Sequence, residues 1–237
     1  MKRGIERLNM RQKEFGFTLA EVLITLGIIG VVAAMTILML IANYQKKQTV
    51  TKLQKAISVI NQAYRLAYDD VGEATAEEAR AMGGEEYFQK YWEPYIKTSI
   101  CTSKTCGYDS EQPFTCPSKV HYGLSVSSTI GSRISFTTLD GFFFIILIFT
   151  GDSVHGHTTS SKIWVDINGT SKPNILGKDV FILERKIDGE KGGVVVPACS
   201  SSSKSFVDHV CSKTNDGDCC AEKIRRAGWT IDKSYPW

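Results

Sequence analysis

Sequence motifs of catalysis are missing from this chain. It has four histidines in 237 residues, and it contains no G-x-S-x-G nucleophile elbow, no H-E-x-x-H zinc motif and no phosphate-binding glycine loop. His155 and His157 lie in one polar segment and are candidates for a metal contact, although histidines in polar loops are more often solvated. We therefore expect a protein that is not an enzyme.

The sequence also has little excess charge, with 28 Lys and Arg against 25 Asp and Glu. Five of the basic residues and two of the acidic ones lie between Lys2 and Glu14, and setting these aside leaves 23 of each sign. A nucleic-acid surface needs clustered Lys and Arg, so we expect no nucleic-acid partner. A basic segment before an apolar one stays on the cytoplasmic side of a membrane, which predicts an extracytoplasmic C-terminal region.

Cysteine is absent from the first 100 residues, and seven cysteines follow: Cys101, Cys106, Cys116, Cys199, Cys211, Cys219 and Cys220. This distribution is typical of disulfides in an oxidising compartment, and the odd number leaves at least one thiol unpaired or paired between chains. We expect pairing within the central group and within the C-terminal group, since each is close in sequence. A zinc site made by Cys101, Cys106, Cys116 and His121 is an alternative, but its spacing lacks the C-x2-C pair typical of structural zinc.

Proline and glycine are both missing from the segment 44–68. Apolar residues recur there at steps of three and four, which is typical of an amphipathic helix: Val50, Leu53, Ile57, Ile60, Tyr64 and Ala67. The pattern predicts one helix from Phe17 to about Asp70, which would be about 80 Å long at 1.5 Å per residue.

The first half of this helix is an almost unbroken apolar run from Phe17 to Ala42. About 20 apolar residues cross the hydrocarbon core of a membrane as a helix, so the run is long enough to do so. It nevertheless contains Glu21. Inserting a charge at the centre of such a helix into a membrane costs about 2.5 to 3.5 kcal/mol. The presence of this carboxylate therefore indicates that it has a function.

Gly16-Phe17-Thr18-Leu19, followed by Glu21 and the apolar helix, resembles the cleavage and methylation signature of type IV pilins and type II secretion pseudopilins. The resemblance covers about the first quarter of the chain. It implies that a prepilin peptidase cuts after Gly16 and methylates the new amine of Phe17. Glu21 lies one helical turn later on the same face. It can pair with the amine of its own chain or with that of a neighbouring subunit, and the second arrangement is the one these families use for filament assembly.

Three other interpretations of the N-terminus are open. A secretory signal peptide has a shorter apolar region of about 7 to 15 residues, although Ala33-Ala34 is a weak cleavage site. A permanent signal anchor explains the length and the basic leader but not Gly16-Phe17 or Glu21. A buried helix of a soluble protein is the poorest fit.

Beyond the long helix, the sequence predicts an α+β, pilin-like fold in which that helix packs on an antiparallel sheet with disulfide-bearing loops. The predicted short helices are 85–96 and 219–227, and the predicted strands are 122–126, 133–136, 142–149, 162–167 and 179–184. We divide the chain into a leader (1–16), a transmembrane and assembly helix (17–42), its amphipathic continuation (43–71), a helix with a cysteine-bearing connection (72–118), and a sheet domain with a cysteine-rich C-terminal region (119–237).

The segment 166–179 is rich in turn signals and resembles a sheet loop that binds calcium in some pseudopilin-like proteins. Asp166, Asn168 and Asp179 supply the oxygen ligands that calcium prefers. The segment is not an EF-hand, because its twelfth position is Gly177 rather than Glu. Asp and Asn are also common in ordinary turns, so the segment is either a calcium site or a turn without a metal. We expect no other cofactor.

Together these features predict a structural subunit of a type II secretion pseudopilus or a type IV pilus. Its expected partners are the prepilin peptidase, other pilin or pseudopilin subunits and the inner-membrane assembly machinery. The expected location is the bacterial inner membrane, crossed once, with the C-terminal domain outside, and then the filament. The alternative is a bitopic extracytoplasmic binding protein, such as an adhesin or a DNA-uptake receptor.

Overall fold

The computed structural model describes residues 16–72, 76–127, 133–149, 160–186 and 193–237. The chain forms two compact units, Met1–Tyr44 and Gln45–Trp237. The basic leader before Gly16 lies outside the described residues, as do His155 and His157.

A single helix, α1, extends over Leu19–Val71, as the spacing of apolar residues predicts. In the second unit its buried residues form one stripe: Val50, Leu53, Ala56, Ile60, Ala63, Tyr64 and Ala67. The helix ends at Val71, and the next residue, Gly72, has a positive φ of 73°, the left-handed conformation that glycine adopts without steric cost. By length and composition α1 is also able to cross a membrane.

The predicted second helix begins earlier than expected. It is α2, Ala76–Tyr91, which is kinked at Gly83, and a 3-10 turn at Glu93–Tyr95 follows it. Pro94 lies in the first turn of that 3-10 segment, where a missing N–H costs nothing. Tyr87, Phe88 and Trp92 are buried, so the aromatic residues belong to the core, as the sequence indicates.

In the described residues, six antiparallel strands form one sheet in sequential order. They are β1 (Thr98–Ile100), β2 (Arg133–Thr138), β3 (Phe143–Phe149), β4 (Ser160–Asp166), β5 (Val180–Lys186) and β6 (Val194–Pro197). The predicted strand at 122–126 is wrong. Leu124 and Val126 are buried, but their segment lies outside the sheet, and the Val126 amide donates to the Glu111 carbonyl instead.

The sheet is covered on both faces, because successive side chains of a strand point to opposite sides. On β3, Phe144 and Ile146 join the core that contains α1, whereas Phe143 and Ile145 join a second core with Tyr108 and Phe114. This explains the continuous apolar run in β3 and confirms the predicted strand buried on both faces. The α+β, pilin-like fold class is therefore confirmed.

Three disulfides join cysteines of the same sequence group. They are Cys101–Cys106, Cys199–Cys219 and Cys211–Cys220. Two short helices follow β6, α3 (Lys204–Val210) and α4 (Cys220–Arg226), of which only α4 was expected from the sequence. Cys211–Cys220 joins the end of α3 to α4, and Cys199–Cys219 joins the segment after β6 to the start of α4. Cys116 is a free, buried thiol, and burial raises its pKa to about 11.

Candidate functional site

The residues of the predicted processing signature lie at the start of α1. Gly16, Phe17 and Thr18 precede the helix, so the Gly16–Phe17 peptide bond is outside its hydrogen-bonded backbone. The side chain of Phe17 is 87% exposed. This bond is therefore non-helical and lies between two exposed residues.

Glu21 is held by Thr18 in a capping box. The Glu21 amide donates to Thr18 Oγ1 at 3.2 Å, and the Thr18 amide donates to Glu21 Oε2 at 2.8 Å. The Thr18 hydroxyl donates to the same carboxylate oxygen, also at 2.8 Å. This reciprocal pairing satisfies two backbone donors at a helix start. Sequence reasoning missed it, although the pattern Thr-x-x-Glu before an apolar run is its signature.

Within the described residues, both hydrogen bonds that the Glu21 carboxylate accepts go to Oε2. In the described part of the chain, Oε1 accepts none. A carboxylate has room for several donors, so the capping box and an ion pair with an amine are compatible. Glu21 therefore caps the start of the helix through Oε2, and its Oε1 is available for a second partner.

The apolar surface of α1 in the first unit is exposed. Large aliphatic side chains over the whole segment 19–41 are between about two fifths and four fifths exposed, and the most apolar window of the helix has no buried residue. Soluble monomers rarely expose contiguous apolar patches of this kind. The segment therefore requires lipid or other protein chains around it.

The predicted calcium loop brings Asp166 and Asp179 into one buried cluster. Asp166 is 1% exposed and Asp179 is 5% exposed. Asp166 accepts hydrogen bonds from the Tyr108 hydroxyl and the Asn168 amide, and Asp179 accepts from the amides of Asn174 and Ile175. Burial, and then the nearby charge of Asp179, raise the pKa of Asp166 to about 8.

The donor set in this loop is made of hard oxygens. The Oδ1 atoms of Asn168 and Asn174 are buried and have no hydrogen-bond partner in the described residues. Two carboxylates beside two unsatisfied amide oxygens fit calcium by chemical type. No group of three or more His, Cys, Asp or Glu side chains that could hold a metal occurs in the described ranges, so any cation here depends on amide and carbonyl oxygens.

The zinc alternative does not fit the structure. Cys101 and Cys106 are joined in a disulfide, so their sulfurs are not thiolate ligands. The fourth candidate ligand, His121, forms a hydrogen bond between its Nε2 and Gln112 Oε1 at 2.9 Å. The other metal candidates, His155 and His157, lie outside the described residues.

Comparison with known protein families gives two matches. Residues 39–182 match a family described as "Family of unknown function (DUF6613)". Residues 11–37 match the model of the prokaryotic N-terminal methylation motif. This matched segment contains Gly16, Phe17 and Glu21. No curated protein and no solved structure matches the chain.

The methylation motif is the signature of type IV pilins and pseudopilins, so the resemblance predicted from sequence is confirmed. It indicates a pilin-like or pseudopilin structural subunit, and the apolar helix behind it fits a membrane anchor. The match to the other family covers more than half of the chain. The chain belongs to the family of unknown function DUF6613, and it carries this pilin-type methylation motif ahead of the family's domain.

Proposed function

We propose that the chain is a prepilin-like subunit of a type IV pilus or a type II secretion pseudopilus. A prepilin peptidase cuts between Gly16 and Phe17 and methylates the amine of Phe17. The subunit then enters a filament through the first part of α1. The observation that carries this proposal is the methylation motif at the start of a helix whose apolar surface is exposed.

The contacts of Glu21 support assembly through this residue. Cleavage removes the chain before Phe17 and creates a positive amine one helical turn from the Glu21 carboxylate. In a bundle of such helices the amine of one subunit meets Glu21 Oε1 of its neighbour, while Thr18 keeps its hydrogen bonds to Oε2. An intersubunit ion pair in apolar surroundings lowers the cost of burying both charges and sets the axial stagger of the helices.

The chemistry of the N-terminus tests the proposal. Mass spectrometry of the protein from its native envelope should find a mature chain that begins at N-methyl-Phe17. A chain that starts after Ala34 would point to an ordinary signal peptide. An intact Met1 in cells with an active peptidase would support the alternative, a bitopic binding protein on a permanent anchor.

We also propose that the loop 166–179 binds calcium. The unsatisfied oxygens of Asn168 and Asn174 beside two buried carboxylates support this. A bound cation neutralises the repulsion between Asp166 and Asp179, so millimolar calcium should raise the melting temperature of the protein. The double variant Asp166→Asn, Asp179→Asn should lose that response, and equal melting with calcium and with chelator in the wild type would refute the site.

A further inference from the structure

A surface pocket of about 440 Å³ is lined both by the proposed calcium loop and by α1 of the second unit. The loop contributes Asn168 and Asp179, and the helix contributes Thr49 and Lys52. Positions 49 and 52 are three residues apart, so their side chains lie on the same face of the helix. Through this pocket a side chain of α1 can act on a cation that the loop holds.

The loop presents groups that favour positive charge. Asn174 is 6% exposed, and its buried Oδ1 has no hydrogen-bond partner in the described residues; the same is true of Oδ1 of Asn168. Asp166 and Asp179 are buried in the same loop. An unsatisfied buried oxygen and a buried carboxylate are both stabilised by a nearby cation.

Three lysines line the pocket, and two of them have other contacts. Lys172 forms an ion pair with Asp109 at 2.9 Å. Lys178 lies over the ring of Trp237, with Nζ 5.7 Å from the ring centroid. The third, Lys52, is half-buried and forms no salt bridge within the described residues. Its ammonium group is therefore free to act on the loop.

The charge of Lys52 reaches the buried carboxyl group of Asp166. Burial and the charge of Asp179 raise the pKa of Asp166 to about 8, whereas the Asn168 amide, the Tyr108 hydroxyl and the charge of Lys52 act in the opposite direction. An ammonium group that stabilises an ionised carboxylate from within the same pocket also repels any second cation there.

We propose that Lys52 is an internal cation of this site and sets its affinity for calcium. Without calcium, the Lys52 ammonium partly compensates the negative charge of Asp166 and Asp179. When calcium binds, the two cations repel each other, so the loop binds calcium more weakly than its own oxygens would allow. The inference rests on the calcium site in the proposed function, and it adds a residue of α1 that controls that site.

Calcium titration of charge variants at position 52 tests this proposal. The full-length chain in a neutral detergent, stripped of metal, is titrated with calcium chloride by isothermal calorimetry at constant pH and ionic strength. A pocket of about 440 Å³ is about 9 Å wide, and across this width a divalent and a monovalent cation repel enough to change affinity about tenfold. Lys52→Gln should therefore bind calcium about tenfold more tightly than the wild type. Lys52→Glu should bind more tightly again, and Lys52→Arg, which keeps the charge, should bind like the wild type.

The matched control is the same series at Lys47, an exposed lysine of α1 that does not line the pocket. These variants should leave the calcium affinity nearly unchanged. Equal changes at the two positions, or an affinity of Lys52→Gln that is equal to or weaker than that of the wild type, would overturn the proposal. Failure of the calcium site itself looks different, since neither the wild type nor any variant at position 52 would then bind calcium.

Discussion

Asn61 of α1 hydrogen-bonds both backbone groups of Val195 in β6. Its Nδ2 donates to the Val195 carbonyl at 2.8 Å, and its Oδ1 accepts from the Val195 amide at 2.7 Å. β6 is an edge strand of the sheet, and an uncovered edge pairs readily with other chains. The side-chain amide of Asn61 therefore satisfies the backbone groups of one residue on this edge, and it joins α1 to β6.

Replacing this amide should destabilise the second unit. In Asn61→Leu the amide and carbonyl of Val195, a residue that is 1% exposed, lose their partner, and each unsatisfied buried group costs about 1 to 3 kcal/mol. Urea unfolding of the full chain in detergent should show a loss of about 2 to 4 kcal/mol. Gln62→Leu, at the exposed neighbouring position, is the control and should change the free energy of unfolding little. Equal stability of the two variants would show that Asn61 does not fasten the strand.

Processing should depend on the absence of a side chain at Gly16. Gly16→Val places a branched side chain next to the bond that the peptidase cuts, so we expect the uncleaved chain to accumulate in the membrane. Gly27→Val serves as the control, because a side chain added at that helical glycine meets nothing within 4 Å. The two variants are compared by the mass of their N-terminal peptides. Normal cleavage of Gly16→Val would contradict the predicted cut site.

Filament assembly should depend on the charge of Glu21. Glu21→Gln keeps a residue that completes the capping box with Thr18, so the helix start should remain intact and the variant should be inserted and cleaved normally. The amine of a neighbouring Phe17 would then enter the apolar bundle without its counter-charge, at a cost of a few kcal/mol. We expect strongly reduced incorporation into sheared filaments at equal membrane levels.

Two comparisons sharpen the experiment on Glu21. Glu21→Ala removes both the charge and the capping box, so a defect equal to that of Glu21→Gln assigns the effect to charge. Thr18→Val removes the side-chain hydrogen bonds to Glu21 and keeps the charge of Glu21. This variant should assemble better than Glu21→Gln and better than Glu21→Ala. Normal incorporation of Glu21→Gln would exclude the ion pair as the assembly contact.

Stability at acidic pH should depend on Glu222, whose side chain is fully buried. Burial raises the pKa of this carboxyl, but hydrogen bonds from Arg225 and Arg226 outweigh it and hold the pKa below 4.5. Arg226 also donates to the carbonyls of Ser200 and Ser202, so the carboxylate anchors the loop after Cys199. The ionised form is the one the fold stabilises.

The sign of the pH effect follows from that lowered pKa. The contribution of Glu222 is fully present above the unfolded-state pKa, about 4.3, and is lost as the pH falls through the lower folded-state value. The unfolding free energy of the wild type should therefore fall on acidification below about pH 4 by more than that of Glu222→Gln. Glu184→Gln, a half-buried glutamate of β5, provides the comparison. Parallel pH profiles for wild type and Glu222→Gln would contradict this role.

Features with a strong local signal were predictable from sequence. The length of α1 follows from an apolar stripe without Gly or Pro, and β3 from an apolar run after the Asp140–Gly141 turn. Segments with weak local signals were either missed or assigned wrongly. β1 and β6 are three and four residues long, too short for an alternating pattern to register. The segment 122–126 alternates because Leu124 and Val126 face the second core, not because it pairs in the sheet.

What the sequence by itself determined is the N-terminal signature, because Gly16, Phe17 and Glu21 lie within six consecutive positions and form a local motif. The tertiary structure alone decided the contacts between distant segments. The pairing of Asn61 with Val195 joins residues 134 positions apart. Lys52 of α1 and Lys172 of the β4–β5 connection line one pocket although they are 120 positions apart in the sequence. Local periodicity records which face of a segment is buried, but only the packed fold determines which partner buries it.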